Sequence, residues 1–298
     1  MSNTTVSLRR KIESAGELQS VVRTMKAVAA SSVGQYERSV AALTDYFRIV
    51  ELGLHVCLSR LPPTPAPDTT QIQPKKSAGQ VGVIVFGSDQ GLVGQFNDVV
   101  ADYAVNALAS MPRRTEIWAV GARVHARLLD SGISPKGMFA VPSSATTISP
   151  LVGQILIDYE ARLKQVALSE LHLFYNHPTA GSTYEPITKQ ILPLDQNWRD
   201  RLTALSWPTR TVPDVIGEGT TTLEALVREY LFVSIFQACS ESLASENSSR
   251  LAAMQRADTN IDNLLEGLNC KFHRLRQGMI DEELFDVVSG FESLSGKK

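Results

Sequence analysis

The segment Gly87-Ser88-Asp89-Gln90-Gly91-Leu92-Val93-Gly94 stands where phosphate-binding loops stand, after an apolar β-type run and before a helical pattern. Backbone N–H groups at such a helix start can cradle a phosphate. The spacing, however, is neither GxGxxG nor GxxxxGKS/T, and no Lys-Ser/Thr pair follows to hold phosphate or magnesium. A tight strand-to-helix turn is the simpler reading. The five histidines, His55, His125, His172, His177 and His273, show no HExxH or other metal-ligand spacing. No GxSxG elbow is present to seat a nucleophile. Cys57, Cys239 and Cys270 are isolated, and no CxxC occurs, so buried reduced thiols are expected rather than disulfides or zinc ligands. The acidic run Asp281-Glu282-Glu283 follows Lys271, Arg274 and Arg276 and reads as a solvated helix face with i,i+3 and i,i+4 pairs. No catalytic set, metal site or cofactor is expected from these residues.

Composition narrows the partners. A net charge of −2 exerts no global pull toward nucleic acid or an anionic membrane. The N-terminus has no apolar stretch of signal-peptide length, and the most apolar run, around Leu231–Phe236, is too short to span a bilayer. Membrane association is therefore expected only through a partner.

The elements that would position any site are announced by proline. All 14 prolines lie between Pro62 and Pro213, and both flanks carry helical apolar spacing. Proline disrupts helix interiors, so two long helices flanking a compact middle are expected. The second, at 1.5 Å per residue, would approach roughly 120 Å. Along the first, Leu8, Ile12, Ala15, Leu18, Val22, Met25, Ala29, Val33, Tyr36, Val40, Leu43, Phe47, Val50, Leu54 and Cys57 recur at steps of 3 or 4, forming one stripe. The expected organisation is an N-terminal coiled-coil helix over 1–60, a Pro/Thr-rich linker over 61–79, a central α/β domain over 80–213 and a C-terminal coiled-coil helix over 214–298.

The middle alternates strand and helix. Strands are predicted at 80–87, 116–121 and 171–176, helices at 94–110, 122–131 and 151–166. Residues 182–193 supply one or two further strands, with Pro186 favouring an edge. The fold class is α/β: a central Rossmann-like open, largely parallel sheet, flanked by long N- and C-terminal helices that form an antiparallel coiled coil.

In the C-terminal helix, Leu251, Met254, Asp258, Ile261, Leu265, Leu268, Phe272, Leu275 and Met279 alternate steps of 3 and 4. That 3.5-residue repeat marks a coiled coil, with one polar seam residue able to fix register. Antiparallel pairing sets Met25 opposite roughly Met254 and lets the second helix overrun the first by roughly 20 residues, or about 30 Å. The overrun carries Ile280, Leu284, Phe285, Val287, Val288, Phe291 and Leu294, too widely spread for one seam. A lone helix apolar on several sides needs an enclosing partner.

At this point the sequence resembles a known family. TMKAVAASS (24–32) after the basic SLRRKIES (7–14), VGVIVFGSDQGLVGQFN (81–97), LASENSSRLAAMQRADTN (243–260) and HRLRQGMIDEELFDVVSG (273–290) are similar to segments of the gamma subunit of F-type ATP synthases. The likeness covers both ends and much of the middle and is most specific at the C-terminus. It implies a non-catalytic central-stalk rotor subunit that transmits torque between a membrane c-ring and a catalytic alpha/beta hexamer. It also implies contacts with alpha, beta, epsilon and c-ring subunits, and a peripheral location on the cytoplasmic face of the bacterial inner membrane. Met25, Lys26, Arg250, Arg276, Gln277 and Glu283 are then the expected contacts with the beta-subunit catch loops.

Two departures stand out. Ser31-Ser32-Val33-Gly34-Gln35-Tyr36 replaces the basic residues that commonly follow MKxVAA in that family, which weakens an electrostatic catch there. The linker PPTPAP and Trp207-Pro208 suggest a divergent branch such as an alternate bacterial ATPase. With no cysteine in the central domain, the thiol switch of chloroplast relatives is not expected. Two rival readings are a nucleotide-dependent α/β enzyme with helical arms and a self-associating coiled-coil scaffold. Nucleotide binding by the isolated chain would favour the first, and a stable homodimer the second.

Overall fold

A computed structural model describes residues 2–60, 79–111, 114–166, 168–179, 183–194, 198, 201–202, 204, 207–211, 213–215 and 219–295. The proline-rich stretch expected to be a linker lies, over 61–78, outside them. In chain order the elements are α1 (Ser2–Arg60), β1 (Gln80–Phe86), α2 (Phe96–Ala109), β2 (Thr115–Val120), α3 (Ala122–Asp130), β3 (Gly137–Phe139), α4 (Ile148–Gln165), β4 (Leu168–Thr179), β5 (Thr183–Leu192) and α5 (Gly219–Ser295). A 3₁₀ turn, Ala145–Thr147, precedes α4. The described residues divide into two compact units, one within 29–250 and one made of 2–28 with 251–295.

In the first unit, five strands form one sheet in the order β3-β2-β1-β4-β5. The first three pairings are parallel, and β4–β5 is an antiparallel hairpin. Pro186 sits on β5, an edge strand as its missing N–H requires. The short edge strand β3 was not anticipated, because three residues carry too little periodicity to be recognised.

The sheet is covered on both faces, which explains the nearly continuous apolar character of β1 and β2. Side chains alternate along β1: Val81, Val83 and Val85 join Val100 and Ala104 of α2 and Val124 and Leu128 of α3. Ile84 and Phe86 point the other way, into a larger cluster with α4, with Tyr36, Val50 and Leu54 of α1, and with Ile235, Ala238 and Leu243 of α5. Each large apolar side chain fully removed from water here stabilises the fold by about 1.5–3 kcal/mol.

The second unit is a helix pair. Arg23 of α1 meets Asp258 of α5 and Gln19 meets Asp262, so the helices run antiparallel. Val22, Met254 and Ile261 are buried between them, with Met25, Ala257 and Leu265 packed alongside. Met25 and Met254 thus share one cluster, as the repeat predicts. Two positions depart from the predicted stripes. Leu18 is exposed, and Gln19 takes its place inside, because an amide can hydrogen-bond the buried Asp258 and the exposed Asp262 beside it where a leucine cannot. Leu275 is also exposed; at this register it lies near Val6, itself exposed, where α1 nears its end.

Cys57 and Cys239 are buried, and burial pushes both thiols up; Cys270, expected inside with them, is exposed on α5. Among the described residues no helix is long and apolar enough to cross a membrane.

Candidate partner-binding surface

The loop after β1 is built to close on itself. Gly87 has no room for a Cβ, which would collide with Val124 of α3. Gly121 holds φ at 114°, and a Cβ there would lie 2.8 Å from the Ser88 carbonyl oxygen. Ser88 donates its N–H to Asn97 Oδ1 at 2.9 Å, and Asn97 Nδ2 returns a bond to Ser88 Oγ at 2.8 Å. Asp89 accepts from the Ala122 N–H at the start of α3 and from the Val141 N–H, each at 2.8 Å. An anion drawn to that helix start meets a carboxylate already seated there. The mutual Ser88–Asn97 bonds close the tight turn into α2 that the sequence predicts, and Asp89 ties that turn to the start of α3 as an internal anion.

The residues expected to touch a partner fall into three groups. Met25 and Lys26 belong to the helix pair. Met25 is half-buried against the Val22/Met254/Ile261 cluster. Lys26 donates to Asp258 Oδ2 at 2.7 Å, leaving two of its three N–H donors. Asp258 therefore carries a set of three partners from α1, namely Gln19, Arg23 and Lys26. Hydrogen bonding from Lys26, joined by Arg23, holds its carboxyl below the usual carboxylate range against the opposing effect of burial. Sequence reasoning identified Asp258 as the polar seam residue but missed Gln19 and Arg23. A polar residue inside an apolar seam was itself the signal that α1 must offer it donors.

Arg250 belongs to the sheet unit and is mostly buried. Its Nη2 donates to Glu246 Oε1 at 2.6 Å and its Nη1 to Asn247 Oδ1 at 3.3 Å. Burial pushes the Glu246 carboxyl up, and the adjacent Arg250 charge pulls it back.

Arg276, Gln277 and Glu283 lie on α5 of the helix pair, and all three are exposed. Among the described residues their side chains make no ion pair or hydrogen bond. At the observed register the start of α1 falls level with Met279, so the helix beyond it extends past its companion. There Ile280, Leu284, Phe285, Val287, Val288 and Phe291 are all exposed, Phe285 by 73% and Phe291 by 72%. Free cations and acceptors beside a band of uncovered large apolar groups are the makings of a partner contact, with aromatic anchors and polar flanks.

Comparison with known proteins accounts for nearly the whole chain. The family described as ATP synthase matches residues 4–294. The ATP synthase gamma chain of Laribacter hongkongensis is 28% identical over 302 residues, covering 95% of this chain and 96% of its own. That of Nitrosospira multiformis is 28% identical over 295 residues, covering 95% and 97%. Among solved structures, a chain of the Euglena gracilis mitochondrial ATP synthase rotor in rotational state 1 superposes with a TM-score of 0.63 at 16% identity, covering 94% of this chain and 100% of that one. A chain of the OSCP/F1/c-ring part of the same enzyme in rotational state 3 gives 0.66 at 16% identity, covering 100% and 97%. By a match that runs from end to end, the chain belongs to the ATP synthase family, among its gamma chains.

Proposed function

We propose that this chain is the central-stalk rotor subunit of an F-type ATP synthase or ATPase. Its paired terminal helices are the shaft, and its sheet unit is the base through which torque enters or leaves. The observation that carries the reading is the uncovered apolar end of α5, Ile280 to Phe291, where Phe285, Val287 and Phe291 are each more than two-thirds exposed. Apolar groups on several sides of one helix are stable in water only inside an enclosing partner. A ring of alpha and beta subunits supplies such an enclosure.

The subunit does no bond-breaking chemistry; that belongs to the beta subunits. As the shaft turns, Arg276, Gln277 and Glu283 reach each beta subunit in succession. Met25, Lys26 and Arg250 supply further contacts along the shaft. A face that binds one conformation of a beta subunit better than another shifts that subunit's population by the difference in affinity. The sheet unit meets the c-ring and an epsilon subunit, which places the complex on the cytoplasmic face of a bacterial inner membrane without any lipid contact by this chain.

A cysteine at position 277, cross-linked to a cysteine in a facing loop of a beta subunit, tests the reading. ATP hydrolysis by the assembled complex should stop on oxidation and return on reduction. Undiminished hydrolysis in the cross-linked complex would overturn it, and a stable homodimer of the isolated chain would favour the scaffold reading instead.

A further inference from the structure

Within the sheet unit, α5 is held by two kinds of contact. Most of the contact is apolar, through residues such as Ile235, Ala238 and Leu243. Set into that apolar surface is Glu241, only 4% exposed, and both of its carboxylate oxygens are occupied. His177 of β4 donates from Nδ1 to Oε2 at 2.9 Å, and Gln237, one turn earlier on α5, donates from Nε2 to Oε1 at 2.8 Å. Lys189 of β5 donates to Gln237 Oε1 at 3.0 Å, so the second strand of the hairpin joins the same chain of bonds. The Tyr175 hydroxyl on β4 feels this carboxylate too, whose charge adds to burial in pushing it up. One buried acid thus ties both strands of the β4–β5 hairpin to α5.

A fully buried carboxylate is costly to keep, and a helix needing only to be covered would carry leucine there. The difference between the two kinds of contact is direction. Apolar burial scales with area and changes little when one surface slips over another. Hydrogen bonds weaken steeply with distance and angle. Turning α5 by one residue, about 100°, or sliding it by one residue, about 1.5 Å, takes Glu241 away from its hairpin donors and leaves a charge unpaired in the interior.

We propose that Glu241 is a positioning residue for torque transfer: with His177, Gln237 and Lys189 it keys the sheet unit to α5, so that the shaft helix neither rotates nor slides in its seat under load. This rests on the shaft reading, because only a subunit that carries torque needs such a key.

The test uses the complete complex in sealed vesicles, with ATP hydrolysis and ATP-driven ion uptake measured on the same preparation against an opposing gradient. Glu241→Leu keeps volume and helix while removing the directional bonds, and it lowers the melting temperature somewhat because the His177 and Gln237 donors lose their acceptor. Ions moved per ATP, measured well below the melting temperature, should fall by about tenfold, the factor a charge-assisted hydrogen bond carries, while hydrolysis stays near wild type. Glu241→Gln, which keeps an acceptor, should retain most coupling. His177→Ala, which removes one donor from β4 without altering α5, should give an intermediate loss and serves if the leucine variant does not fold. Wild-type coupling in folded Glu241→Leu and His177→Ala complexes would overturn the proposal, as would losses that track the melting temperature. A wild-type complex that hydrolyses ATP yet moves no ions would instead overturn the shaft reading, and the key's role with it.

Discussion

The sheet unit and the helix pair use the same long helices in different ways. In the sheet unit, β1, β2 and β4 are apolar on both faces, and Leu54 and Ile235 of the two helices are completely covered. In the helix pair the buried apolar seam amounts to Ala15, Val22, Met254 and Ile261, beside buried Gln19 and Asp258. A thick core tolerates solvent change and specifies one structure through packing. A two-helix seam buries little and obtains its register from charge, so its alignment answers to pH and its free end requires a partner. The sheet unit covers its own core; the helix pair leaves a row of large apolar side chains exposed.

The largest effect should separate the two regions directly. Phe174→Ala, at a fully buried position of β4, should cost about 3–5 kcal/mol in denaturant unfolding. Ile261→Ala in the seam should cost no more than about 2 kcal/mol, because the thin seam relaxes around the gap. Equal losses would erase the contrast. Next in size, Gly121→Ala should cost about 1–3 kcal/mol in the same measurement, since φ is positive and Ser88 fills the space.

Acid sharpens the comparison further. The Asp258 carboxyl is held below its ordinary value in the folded pair, so its contribution is complete above about pH 4 and is lost as pH falls through the lower, folded value. Circular dichroism of the whole chain should show part of the helical signal loosening there, and Asp258→Asn should remove that acid dependence. A transition unchanged by Asp258→Asn would count against the charge-set register. The smallest stability effect belongs to Arg276→Ala, within about 0.5 kcal/mol of wild type because the residue is exposed. Its effect should appear only in the assembled complex, as weakened rotational coupling; a matching fall in melting temperature would contradict a partner-contact role.

Much of this was legible in the residues. The confinement of proline between Pro62 and Pro213 foretold both helices, and the apolar runs at 80–87 and 116–121 foretold the buried parallel strands. What escaped was whatever depends on two distant segments meeting. Leu18 and Gln19 are neighbours, and a step of 3 or of 4 suits either; only the donors demanded by Asp258, far along the chain, decide between them. Asp89 read as part of a candidate phosphate loop because its partners at Ala122 and Val141 are set by the fold, not by local spacing. The exposed α5 end was visible as an apolar pattern without a seam, which by itself led to the expectation of an enclosing partner; the expected catch-loop contacts came from the family's motifs.

The most direct test of the account is to watch the shaft turn. With a bead attached to the sheet unit and the surrounding alpha/beta head fixed to a surface, ATP should drive stepwise rotation in one direction, and truncation from Ile280 onward should weaken or abolish the torque. ATP hydrolysis by the assembled head with this chain in place and no rotation of the bead would contradict it.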